Sequence, residues 1–133
     1  MKRYFRFQLT SKRKGDSAVN VKEFAARFNL HVAAGQKGLN RQIQGGHCGD
    51  LLSDVMANAP TGCIWLTVQT HQNIVNVAVL HEMAAVVFTG GRTPDQQTID
   101  RANQEGIPLL LWPDSAYDLA GHAFAAGLVN QPS

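Results

Sequence analysis

His47, Cys48, Asp50, Cys63 and His71 are the residues near the middle of this chain whose side chains can hold a metal or move a proton. A structural zinc site sets its ligands in closely spaced pairs. His47 and Cys48 are instead adjacent, so in extended chain they point apart, and Cys63 falls inside an apolar run. A thiol nucleophile at Cys48 would need a base, for which His71 is the candidate, and a third group to orient that base. No such third group is evident in the sequence, so an enzyme built on Cys48 and His71 is the minor reading. The segment Gly45-Gly46-His47-Cys48-Gly49-Asp50 places three glycines in five positions, which calls for unusual φ values or close approach of another group. A turn is expected there, with backbone N–H groups cradling an anion as the alternative. Its spacing is not that of a dinucleotide fingerprint, and no Walker loop, nucleophile elbow or H-E-x-x-H motif occurs.

A second group of polar residues stands where two apolar runs meet a helix. Cys63 to Val68 is apolar and of strand length, Gln69 to Asn73 is polar, and Ile74, Val75, Val77, Ala78 and Met83 recur near helical spacing. Ala84 to Phe88 is a second apolar run, ended by Thr89-Gly90-Gly91. Runs apolar throughout are how parallel strands covered on both faces read. A right-handed crossover between them brings both strand ends to one edge, the edge where open α/β sheets bind ligands. Thr70, His71 and Asn73 should therefore lie beside Thr89, Gly90 and Gly91. The N–H groups that open the helix favour a negative charge, and Thr70, His71 and Asn73 can add side-chain hydrogen bonds. The plainer alternative is that Thr70 only caps the helix.

The elements around this unit follow from periodicity. Val21, Phe24, Ala25 and Phe28 predict an amphipathic helix capped by Asn20 or Ser17. His31 to Ala34 and Leu39 to Ile43 suit short extended segments around a turn at Gly35 to Gly38. Asp50 is placed to cap a helix over Leu51 to Asn58 whose inner face is Leu51, Leu52, Val55 and Met56. Thr93-Pro94-Asp95 predicts a further helix start, with Thr93 as cap, and Gly106 its end. Ile107 to Trp112 is a third strand run. Asp114 or Ser115 caps a last helix to about Val129, with Leu119, Ala120, Ala123, Phe124 and Leu128 inward. The β-α-β-α-β-α order from Gly62 predicts an α/β fold: three layers, helices on both faces of a mostly parallel sheet of about five strands.

The chain has 133 residues, 44% of them hydrophobic and 17% charged, which suits one compact domain. No apolar run reaches the roughly 18 residues of a membrane span. Two cysteines do not make a disulfide framework, so reduced thiols and a cytoplasmic location are expected. The net charge of +2 is unevenly placed. Lys2, Arg3, Arg6, Lys12, Arg13 and Lys14 face only Asp16 at the start, whereas the remainder is net acidic. Residues 1–18 therefore read as a basic extension, with Tyr4, Phe5 and Phe7 able to pair as an edge strand, and residues 19–130 as the domain.

Read together, GLNRQIQGGHCGDLLSDVMANAPTGCIWLTVQTHQNIVNVAVL, VVFTGG and EGIPLLLWPDSAYDLAGH resemble the DRTGG domain, most of all its small stand-alone members in bacteria and archaea. The resemblance spans about Val19 to Val129. It implies an α/β/α fold similar to the N-terminal domain of HPr kinase/phosphorylase, with relatives inserted in phosphotransacetylases and between CBS domains of regulated pyrophosphatases. GQKGLNRQI is also similar to the opening of the purine-catabolism regulator N-terminal domain, a ligand sensor. The chain departs from the family name: the TGG part stands as Thr89-Gly90-Gly91, and no Asp-Arg pair stands at the first loop, where Thr70-His71 appears instead. The resemblance implies a regulatory, dimerising module without catalysis; no cofactor is expected, and the ligand-type residues lack the paired spacing of a metal site. On this reading the ligand is a small anionic or nucleotide-like metabolite and the partner a second copy or a regulated enzyme; no membrane partner is expected, and the basic residues 1–18 read as a disordered or partly ordered leader in preference to a nucleic-acid-binding arm. Gly49, Asp50, Thr70, His71, Asn73, Thr89, Gly90 and Gly91 are the candidate ligand-binding residues. A pure protein–protein interaction domain is the alternative.

Overall fold

The computed structural model describes residues 19–131; the basic extension and the strand expected at Tyr4, Phe5 and Phe7 lie outside them. β1 (Val19–Asn20) leads directly into α1 (Val21–Arg27). The Asn20 side chain accepts from the Glu23 N–H at 2.8 Å while the Glu23 carboxylate accepts from the Asn20 N–H at 3.0 Å. This capping box satisfies two donors that would otherwise be orphaned at the helix start. β2 (His31–Ala34), a single 3₁₀ turn at Gln36–Gly38 and β3 (Gln42–Ile43) follow, and β3 pairs antiparallel with β1. Gly35, before that turn, has φ +73°, and a Cβ there would run into the Ile107 carbonyl.

The rest is β4 (Gly45–Cys48), α2 (Leu52–Asn58), β5 (Cys63–Thr67), α3 (Asn73–Leu80), β6 (Ala85–Phe88), α4 (Gln96–Glu105), β7 (Leu109–Leu111) and α5 (Ala116–Ala125). The five-stranded sheet has the order β2-β7-β6-β5-β4. β4 to β7 are parallel, and β2 closes one edge antiparallel to β7. Ile64, Leu66, Val87 and Leu110 point to one face, against Phe24 and Phe28 of α1 and Leu119 and Ala123 of α5. Trp65, Val86, Phe88 and Leu109 point to the other, against Val55 of α2, Ile74, Val75 and Ala78 of α3, and Ala102 of α4. This is the expected three-layer α/β/α arrangement, with an apolar cluster on each face of the sheet.

Local expectations fail in four places. Gly45 to Cys48 is an edge strand in register with β5, not a turn. None of Gly45, Gly46 and Gly49 has positive φ, so the glycines answer a need for space. A Cβ on Gly45 would collide with the side chain of Asn130. Asp50 does not cap α2: Leu51 holds the cap position and makes no side-chain bond. The inner face of α2 is Leu52, Val55 and Ala59, so Leu51 and Met56 are left 68% and 44% exposed. At α4 the cap is Asp95, whose carboxylate accepts from the Thr98 N–H at 2.9 Å, and not Thr93. α5 stops at Ala125, where Gly127 with φ +106° turns the chain, and does not continue to Val129.

Candidate ligand site at the carboxyl edge of the sheet

The loops after β4, β5 and β6 meet at the carboxyl edge. The Thr89 N–H donates to the Thr67 carbonyl at 3.1 Å, which sets Thr89-Gly90-Gly91 alongside the loop that leads to α3. Asp50 Oδ1 accepts from the Thr67 hydroxyl and from the Val68 N–H, both at 2.8 Å. Gln69 Nε2 donates back to the Asp50 carbonyl at 3.2 Å. The Gly49 N–H donates to the Leu66 carbonyl, and the Gly49 carbonyl accepts from Trp65 Nε1 at 2.8 Å. Gly49 and Asp50 thus stitch the end of β4 to β5. The Gly90 and Gly91 N–H groups are also committed, to the carbonyls of Asp114 and Trp112 at 2.7 and 3.3 Å. These glycines have φ +73° and +77°, which lets the chain turn back over β7. Thr89 is 1% exposed and faces the interior.

The start of α3 is less fully committed. Its cap position is Gln72, without a side-chain bond. His71 Nδ1 accepts from the Asn73 N–H at 3.1 Å, so His71 does the work expected of Thr70. The bond places the proton of a neutral imidazole on Nε2. Thr98 Oγ1 lies 2.9 Å from the Thr70 carbonyl and 2.8 Å from Asp95 Oδ1. The Thr98 N–H, then its hydroxyl, hold the Asp95 carboxyl below the usual carboxylate range, with nearby His71 adding a smaller effect. The N–H groups of Thr70, His71 and Gln72 have no hydrogen-bond partner among the described residues. His71 and Asn73 are exposed beside them. Arg92, one residue past the glycine turn, folds back so that Nη1 lies over Gly90. It forms no ion pair among the described residues. An arginine directly after a strand-end glycine pair is the sequence signal for it. Three free N–H groups, an imidazole and a guanidinium suit an anion.

Cys48 and His71 do not form a catalytic pair. Cys48 shares a register position with Leu66, on the face covered by α5, whereas His71 opens α3 in the opposite layer. Burial, and secondarily Asp50, push the Cys48 thiol up, and burial pushes Cys63 up to about 11. Both stay protonated near neutrality, which disfavours nucleophilic attack. His47 Nε2 is buried without a hydrogen-bond partner, 3.9 Å from Asp54 Oδ2. Among the described residues no three metal-ligating side chains converge.

A separate groove of about 470 Å³ lies between β4, β5 and α5, lined by Gly46, Cys48, Leu66, Phe124, Leu128 and Asn130 among others. Phe124, expected inside, is 67% exposed on its rim, because α5 overhangs β4 where Gly46 offers no side chain to pack against. No helix among the described residues is long and apolar enough to cross a membrane.

No family model matches the sequence, and no curated protein does. The structure is similar to that of the CBS and DRTGG domains of the regulatory region of Clostridium perfringens pyrophosphatase, complexed with the activator diadenosine tetraphosphate. The TM-score is 0.64 at 13% identity, over 88% of this chain and 54% of that one. The chain thus spans about half the length of that regulatory region. At this identity the likeness is one of fold, and the chain has a DRTGG-related α/β/α fold.

Proposed function

We propose that residues 19–130 are a non-catalytic regulatory module of the stand-alone DRTGG type, similar to the N-terminal domain of HPr kinase/phosphorylase. It acts in the cytoplasm as a homodimer that senses a small anionic or nucleotide-like metabolite at the carboxyl edge of the sheet. The observation that carries this reading is the set of unpartnered N–H groups at Thr70, His71 and Gln72, flanked by His71 and Arg92. In this site Thr70, His71 and Asn73 orient the ligand, and Arg92 neutralises its charge. Gly90 and Gly91 keep the turn low enough for close approach, while Gly49, Asp50 and Thr89 hold the loops in place. The fold likeness to a regulatory region whose activator is a polyphosphate lends the ligand class further support. A thermal-shift screen of nucleotides and phosphorylated metabolites tests it. A true ligand at a hundredfold excess over Kd stabilises by about 2.7 kcal/mol. The shift should vanish in Arg92→Ala and weaken in His71→Ala. A screen without any stabilising compound, or shifts indifferent to both variants, would count against the site.

The second reading is an interaction domain without a ligand. Leu51 at the cap of α2, Met56 within it, and Val79 and Leu80 at the end of α3 are large apolar side chains left exposed, which favours a protein contact. A dimer that resists Leu51→Asp and Leu80→Asp, measured by sedimentation, would remove that support.

A further inference from the structure

We infer that the groove between β4 and α5 is a second binding site, for a neutral planar heterocycle with an amide- or amidine-type edge. The argument begins at the outer edge of β4. In a parallel pair, alternate residues turn their N–H and C=O toward the neighbouring strand. The Gly49 N–H donates to Leu66 across the β4–β5 seam, so Gly49 and His47 face inward while Gly46 and Cys48 face outward. The outward groups of Gly46 are filled by the carboxamide of Asn130. Its Oδ1 accepts from the Gly46 N–H at 2.7 Å and its Nδ2 donates to the Gly46 carbonyl at 3.0 Å. One repeat further along, the N–H and C=O of Cys48 present the same donor–acceptor pair and have no partner among the described residues.

Asn130 therefore displays, within the molecule, the chemistry that the Cys48 pair accepts: a flat group with an acceptor beside a donor. The surroundings select what carries that edge. Ile64, Leu66, Ala120 and Leu128 make the walls apolar, and Phe124 offers an exposed aromatic face. The volume, about 470 Å³, lies within the range of small-molecule sites, which pair apolar walls with a few placed polar groups. Among the described residues no aspartate, glutamate, lysine or arginine lines the groove, which separates it from the anion-receiving carboxyl edge. A peptide strand is a poorer occupant, because strand addition uses a run of outward pairs and Asn130 leaves only one.

9-Methyladenine and 9-methylpurine distinguish the readings: both are flat with N9 blocked, and only 9-methyladenine carries an amino donor beside a ring nitrogen. 9-Methyladenine titrated to millimolar concentration into the ¹⁵N-labelled full chain should move the Cys48 amide resonance saturably. 9-Methylpurine, which has no donor for the Cys48 carbonyl, should bind about tenfold more weakly. Gly46→Val tests the pocket itself. A Cβ at Gly46 meets only Ile64, at 3.7 Å or beyond, so the strand accepts it and the side chain occupies the groove floor. Binding should be lost in Gly46→Val, with its amide spectrum otherwise native, and kept in Arg92→Ala, which keeps this site distinct from the edge site. A Cys48 amide that 9-methyladenine leaves unmoved, equal binding of 9-methyladenine and 9-methylpurine, or undiminished binding in Gly46→Val would overturn the proposal. So would a groove already covered by a second copy, seen as a dimer that Phe124→Asp converts to monomer.

Discussion

β4 and β5 run parallel and in register, residue against residue from Gly45 and Cys63 to Cys48 and Leu66. Every residue of β5 is buried, and its side chains feed both apolar clusters. β4 carries two glycines, a histidine and a cysteine, and leaves its outer face half open. The two strands differ in place, β5 lying between β4 and β6 while β4 is the edge, and in the side chains they carry. Bulk on both faces makes β5 the axis of the core. Missing bulk on β4 lets the Asn130 carboxamide reach Gly46 and leaves a groove under α5. Stability and recognition are thus assigned to neighbouring strands, and substitutions should separate them.

Trp65→Ala should have the largest effect. The side chain is fully buried and its Nε1 holds the Gly49 carbonyl, so the loss is about 3–5 kcal/mol by urea unfolding. Asp50→Ala breaks the tie between the two strand ends and should cost about 1 kcal/mol. Faster hydrogen exchange at Val68, with the centre of β5 still protected, would locate the effect. A smaller effect is expected at the cap of α4. The Asp95 carboxyl titrates lower in the folded chain than in the unfolded one, so its contribution is complete above the ordinary carboxylate range. That contribution fades as pH falls through the folded value. The difference in melting temperature between wild type and Asp95→Asn should accordingly shrink on acidification toward pH 3. Phe124→Ala should change stability by less than about 0.5 kcal/mol, since the ring is mostly exposed. A loss comparable to that of Trp65→Ala would mean that the groove is part of the core, and the contrast between the strands would fail.

How far these regions can be read from sequence follows the same division. β5, β6 and the helices between them carry continuous apolar runs or 3.6-residue periodicity, and those signals come from burial itself. The layer order and the meeting of the Thr70 and Thr89 loops follow from them. β4 has no such signal, because glycine is silent about which face is covered, and its partner Asn130 is 84 residues away. Asp50 has the composition of a helix cap, yet Thr67 and Val68 offer its carboxylate two donors at the end of β5. Phe124 sits on the apolar stripe of α5, but periodicity cannot register that the strand beneath lacks side chains. Arg92 lies just past the glycine turn, and its return over Gly90 depends on a φ that only the folded loop reveals.

The clasp of Asn130 on Gly46 has a consequence for how molecules of this protein meet one another. The outer strand of an open sheet is a template on which another chain can build, and natural proteins guard such strands with charge, proline or a covering segment. β4 has neither lysine nor proline, and its guard is one carboxamide supplied from beyond the last helix. Resistance to edge-to-edge association at this side of the sheet is therefore governed by the segment after α5 more than by surface charge.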